Sequence, residues 1–131
     1  MVRPDFPEVY RQRAEVLLAL KRHKEAGEAL DQYLRVGGKP TPATHRARGL
    51  LHAQRREYRD AVAAYSLALV LKQDADILSN RGWAYLMQEA LRPALDDFDA
   101  ALRLNPNDAD ALAGRGTALT IRGRGRGPCH G

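Results

Sequence analysis

The side chains able to do chemistry in this chain are four histidines, one cysteine and scattered carboxylates. A histidine works as a general base only with a partner held beside it, and a metal needs three or four ligands that one turn or helix can gather. His23, His45, His52 and His130 share no spacing with Asp, Glu or Cys of that kind. Cys129 and His130 are adjacent, but two ligands without others do not make a zinc site. Asp96, Asp97 and Asp99 are close in sequence, yet successive positions fan round a helix by roughly 100° each, so they read as a solvated face. The residues predict no catalytic site, no metal and no cofactor. His52 reads as a half-buried packing residue.

What does recur is the material of helix packing. An arginine followed by a tiny residue appears at Arg13-Ala14, Arg48-Gly49, Arg81-Gly82 and Arg115-Gly116, at spacings of 35, 33 and 34. Twelve residues after each of the first three small residues comes Ala26, Ala61 or Ala94. Leu30, Tyr65 or Phe98 follows four later, then Tyr33, Ala68 or Ala101 three beyond that. A small residue on each of two helices lets their axes approach, because the side chains at the crossing set the interaxial distance. Tyr65 or Phe98, one turn on, fills the wedge where the helices diverge. Self-similarity at this period predicts a solenoid of helical hairpins, which binds through surfaces.

The punctuation supports helices at about 7–20, 23–36, 42–54, 57–71, 75–88, 92–104 and 109–122. Thr41-Pro42 reads as an N-cap followed by proline in the first turn. Asp74 and Asp108 stand in the equivalent place, each seven residues before its arginine. Pro93 falls where a second helix should start. Gly37-Gly38-Lys39-Pro40 closes the first hairpin and Asn105-Pro106-Asn107 the third, since the residue before proline avoids helical geometry.

This pattern resembles the tetratricopeptide repeat. The segment from Ala75 to Asp108 carries it most fully, with Gly82, Tyr85, Ala94, Phe98, Ala101 and Pro106 at the family's positions. The second repeat has Gly49, Ala61, Tyr65 and Ala68 but His52 for an aromatic and Gln73 for the proline, and the first is looser still. The resemblance, to a bacterial-type member or a fragment of one, implies an all-α, right-handed superhelical solenoid of antiparallel helix hairpins. About three repeats (7–41, 42–74 and 75–108) would carry a capping helix at 109–122. Residues 1–122 then form the solenoid, and 123–131 a flexible Arg/Gly tail.

The resemblance also implies where a ligand would lie. The first helices of successive hairpins line a concave groove that holds a peptide or a partner's helix. Here the lining would be Arg11, Glu15 and Leu18, then Arg46, Leu50 and Gln54, then Ser79, Asn80, Trp83 and Met87. Trp83 follows Gly82 directly, so it either aims into the groove as an anchor or packs on the next repeat's helix. Asn80 stands where the family often has an asparagine that hydrogen-bonds ligand backbone. The two-carboxylate clamp of chaperone-binding members is not reproduced, because Glu15, Ala47 and Asp76 occupy its positions.

Composition bounds the rest. No apolar run approaches the roughly 18 residues of a membrane span. The opening Met-Val-Arg-Pro-Asp-Phe-Pro lacks the apolar stretch of a signal peptide, and a single cysteine suits a reducing, cytoplasmic setting. The net charge of +5 is uneven: residues 1–73 hold fourteen Lys/Arg against eight Asp/Glu, whereas 74–108 hold three against seven. That is either an ordinary solvated surface or a dipolar one that attracts an acidic partner. Nucleic acid is not the expected partner, since the acidic third repeat would repel phosphate. After Thr120 the repeat grammar stops, and the run to Gly131 reads as an altered array end, an Arg-Gly binding segment or a plain tail. The expected function is a non-catalytic protein-interaction scaffold. The alternative is a structural element that self-associates, as a dimer by preference, through the open face of 109–122, where Leu112, Leu119 and Ile121 supply apolar surface.

Overall fold

Seven helices and no strand make up residues 6–126, the part of the chain that the computed structural model describes. They are α1 (Pro7–Ala19), α2 (His23–Arg35), α3 (Pro42–Gln54), α4 (Tyr58–Leu71), α5 (Ala75–Met87), α6 (Leu91–Leu104) and α7 (Ala109–Arg126). Each boundary expected from the caps falls within a residue or so, except the last. Residues 123–126, expected as flexible tail, continue α7. Once a helix is nucleated each added residue gains a backbone bond, so Gly123 and Gly125 are carried at roughly 1 kcal/mol each instead of ending it. Cys129, His130 and the rest of 127–131 lie outside the described residues.

Helices pair in sequence order as α1/α2, α3/α4 and α5/α6, and α7 rests on both α5 and α6. The periodic small residues sit at the crossings. Ala14, Ala26, Ala61 and Ala94 are fully or almost fully buried. A Cβ at Gly49 would lie 2.4 Å from Tyr65 Cε1, and one at Gly82 2.7 Å from Phe98 Cε1. Gly114 grips Phe98 from the other side, where a Cβ would come within 2.2 Å of Cζ. Gly116, which continues the series begun by Gly49 and Gly82, has nothing within 4 Å, because no described helix follows α7 to meet it. The core divides in two, a larger cluster around Tyr65, Phe98 and Leu78 and a smaller one around Ala14, Leu30 and Leu51.

The structure supplies the reason for the periodic arginine. Arg48 reaches Asp31 at 3.9 Å, Arg81 donates to Ser66 Oγ at 3.0 Å and Arg115 to Asp99 at 2.8 Å. Asp31, Ser66 and Asp99 hold one repeat position in the second helix of each hairpin, so the arginine ties each hairpin to the one before. Arg81 is also held bidentately by the buried Asp97, at 2.8 and 2.7 Å. Arg13, with no earlier hairpin among the described residues, lies over the Tyr10 ring.

Helix ends follow their chemistry. Thr41 and Thr44 form a reciprocal capping box, and Asp74 and Asp108 accept from the Asp76 and Ala111 amides. Four helix C-termini share another device. At Lys21, Arg56, Glu89 and Gly37 the backbone turns left-handed, with φ of 61°, 62°, 61° and 93°. The next residue's N–H bonds back five residues, as in Arg22 to Leu17 at 2.8 Å and Glu57 to His52 at 2.8 Å. This is the Schellman closure, which ordinarily takes glycine. Only Gly37 obeys; the turns inside the hairpins use side chains that pay a steric penalty.

Candidate functional site

Of the first helices, α3 touches α5 and α5 touches α7, whereas neither α1 and α3 nor α4 and α6 have a comparable contact. The first-helix side is therefore the inner wall. Two clefts open on it. One, between α1 and α3, is bordered by Arg11, Glu15, Leu18, Thr41 and Arg46. The other, between α3 and α5, has a volume of about 330 Å³. Its walls are Leu50, Ala53, Tyr58, Trp83 and Met87, with Asn80, Tyr65 and Asp110 as the polar groups.

Of the residues expected to line the groove, Leu50, Asn80, Trp83 and Met87 come together in this second cleft. Arg11, Glu15 and Arg46 lie in the first. Arg11 and Glu15 pair at 2.5 Å, and Arg11 also bonds Glu8, so that part of the wall is already neutralised. Arg46 forms no ion pair with any described residue, although Asp74 borders a neighbouring cleft with it. Ser79 corrects the sequence reading. It is 1% exposed and donates to Asp108 Oδ2 at 3.2 Å, so it ties α5 to the start of α7 and does not face the groove. Ser79 and Asn80 point roughly 100° apart round α5, and of the two only Asn80 borders the cleft.

Trp83 packs on the next helix and also borders the cleft. Its Nε1–H donates to the Asp110 carbonyl at 3.2 Å, and its ring stands edge-on to Phe98 at 5.8 Å, while the half-buried indole walls the cleft. Tyr65 is the residue the sequence reading missed. Its periodic position marked it as packing, and its ring is 1% exposed against Gly49. Tyr65 nevertheless borders the cleft, and its hydroxyl makes no hydrogen bond among the described residues. Burial pushes that hydroxyl's pKa up to about 12, with the Arg46 charge pulling the other way, so it stays a protonated donor. No sequence signal distinguishes a packed tyrosine from one that also borders a cleft.

One group of possible metal ligands also forms. His52, Glu57 and Asp60 bring their ligand atoms within 4.8 Å of one another, with His52 Nδ1 2.9 Å from Glu57 Oε1. The sequence reading, which found no ligand spacing, did not foresee this, because a hairpin turn separates the three. Exposed Arg55, Arg56 and Arg59 stand in the same turn and oppose a dication.

Residues 75–108 match the tetratricopeptide repeat family. Over 116 residues the chain is 30% identical to tetratricopeptide repeat protein 13 of Homo sapiens, covering 88% of this chain but 13% of that protein's length. The Arabidopsis OM64 TPR domain superposes with a TM-score of 0.81 at 16% identity, over 90% of this chain and 98% of that one. The first TPR of Spaghetti (RPAP3), bound to the HSP90 peptide SRMEEVD, gives 0.81 at 18% identity over 93% and 97%. The fold is that of tetratricopeptide hairpins, about three repeats with a capping helix. Human and plant relatives lend no support to the bacterial type expected from the sequence.

Proposed function

We propose that this tetratricopeptide repeat protein is a non-catalytic interaction scaffold, which holds an extended peptide or partner segment along the inner face of α1, α3, α5 and α7. The observation that carries this is the cleft between α3 and α5. An apolar wall of Leu50, Tyr58, Trp83 and Met87 there surrounds the Asn80 amide, which has no hydrogen-bond partner among the described residues. Apolar walls with a few convergent polar groups are what small recognition sites look like. Met87 is 57% exposed on that wall, a large unbranched side chain left free to repack around a ligand. That one structural relative was solved with an HSP90 peptide supports peptide binding in general. We do not extend it to a chaperone tail, because Glu15 and Asp76 would set carboxylates where such a tail brings its own.

Trp83 is the chain's single tryptophan, so its emission reports on this cleft alone. Peptides that dock there should shift the emission and lose affinity by tenfold or more on Trp83→Ala, measured by calorimetry. Binding that survives Trp83→Ala and Leu50→Ala together would place the ligand elsewhere.

A second reading, self-association through α7, has its own observation. Gly116 has no neighbour within 4 Å, and Leu112 and Ile121 are 53% and 37% exposed on the same terminal helix. Sedimentation at tens of micromolar with reductant present tests it. A strict monomer, unchanged by Ile121→Asp, would leave the groove as the working surface.

A further inference from the structure

We infer that a further cleft, between α2 and α3, receives an aromatic side chain of a partner protein, whose ring takes the place that Tyr85 fills one repeat later. This cleft shares no residue with the two inner clefts, so the inference is independent of the groove reading. On α3 it is bordered by Arg48, His52 and Arg55, which at roughly 100° per residue stand across the helix from Arg46 and Leu50. Its volume is about 230 Å³, below the roughly 300 Å³ at which small-molecule pockets begin, so it suits one side chain.

Comparing the repeats explains why this cleft is open. Gly27 holds the position of Val62 and Leu95, both of which pack on the larger core cluster. His52 holds that of Tyr85, whose half-buried ring packs on the same cluster with the Arg81 guanidinium 5.8 Å from its centroid. Arg48 is the counterpart of Arg81, but His52 pairs its Nδ1 with Glu57 at 2.9 Å. Packing does not demand the glycine. A Cβ at Gly27 would lie 3.5 Å from Leu51 Cδ1 and 4.0 Å from Arg55 Nη2, which is ordinary contact. A mid-helix glycine is costly, and it is the residue that lets a ligand come close to backbone. The same repeat positions border a cleft between α6 and α7, but Leu95 stands there for the glycine and Asp99 holds Arg115 at 2.8 Å.

Charge selects the guest. Arg48 meets Asp31 only at 3.9 Å, and Lys24 and Arg55 form no ion pair among the described residues. A cationic guest is opposed by these three, and a carboxylate by Glu28 and Asp31, which line the same cleft. A neutral ring meets neither objection, because its π face attracts a guanidinium. Arg81 over Tyr85 shows that geometry already built one repeat on.

The test titrates N-acetyltyrosinamide and N-acetylleucinamide, at millimolar concentration, into the whole chain and follows backbone amides by nitrogen–proton NMR. The tyrosine probe is expected to shift the Gly27, Arg48, His52 and Arg55 amides saturably, and to bind about three- to tenfold more tightly than the leucine probe. The Trp83 indole signal should not move. Arg48→Met should remove the preference for the ring. Gly27→Val and His52→Tyr install the side chains that the neighbouring repeats carry, so each should abolish binding while the thermal midpoint stays level or rises. That pairing separates a filled cleft from an unfolded chain. Equal binding of the two probes, shifts at Trp83 instead of Gly27, or binding that survives both filling variants would overturn the inference. So would a lowered midpoint in both variants, since the place would then not be vacant. None of these results bears on the groove.

Discussion

Replacing Lys21, Arg56 and Glu89 by glycine is expected to stabilise the protein, the reverse of what glycine does elsewhere in a helix. Each holds φ near +60° at a helix C-terminus. A side chain in that region crowds the following carbonyl at roughly 1–2 kcal/mol, and glycine removes this. Glycine also frees the unfolded chain, which returns about 0.5–1 kcal/mol. The difference leaves about 0.5–1 kcal/mol per site before charge is considered. Lys21 and Arg56 are cations at the negative ends of α1 and α3, an interaction worth roughly 0.3–1 kcal/mol that their replacement loses. Glu89 puts an anion at the same end of α5, so its replacement gains on both counts. Glu89→Gly should therefore add about 1–1.5 kcal/mol, and the other two about 0.5 kcal/mol or less each. Sites a repeat apart with no shared partner add, so the triple variant should gain about 2 kcal/mol. Urea titration followed by circular dichroism measures this as a raised midpoint at unchanged slope. Gln12→Gly, exposed inside α1, is the control and should lose up to about 1 kcal/mol. A Glu89→Gly protein less stable than the parent would refute the reasoning.

Three further outcomes follow from the packing and charge. Gly82→Ala drives a Cβ into Phe98 and should cost about 1–3 kcal/mol, whereas Gly116→Ala meets open space and should gain up to about 1 kcal/mol; equal thermal midpoints would contradict the assigned crossings. Arg81→Met strands the buried Asp97 and should cost about 3–5 kcal/mol, most of it recovered in Arg81→Met/Asp97→Leu, as chemical denaturation of the four-member cycle will show. His45 has its pKa lowered by burial and then by Arg48. The folded chain thus binds fewer protons than the unfolded one, and stability falls as pH drops below 6.5 towards the folded value, then levels off. His45→Gln should show a smaller midpoint difference between pH 7.5 and 5.0 than the parent; a larger one would reverse the assigned sign.

The sequence alone determined the element order, the caps at Thr41, Asp74 and Asp108, and the small residues at each crossing. These are written locally: a cap bonds within three residues, and a solenoid repeats one local solution. Part of the cleft between α3 and α5 was legible for the same reason, since Leu50, Asn80, Trp83 and Met87 inherit their facing from helical phase. Ser79 was misplaced because its partner, Asp108, precedes a different helix, so nothing within α5 announces its burial. Tertiary structure alone decided the rest. The partners of the periodic arginines lie about sixteen residues away on other helices, and one of them, Ser66, carries no charge to betray it. Three hairpin turns adopt a left-handed residue without the glycine that would announce it. Gly116 keeps the series' phase yet stands open, because crowding depends on whether a helix lies opposite. Tyr65 reads as core by spacing, and only the packed neighbours determine that it also borders the cleft between α3 and α5.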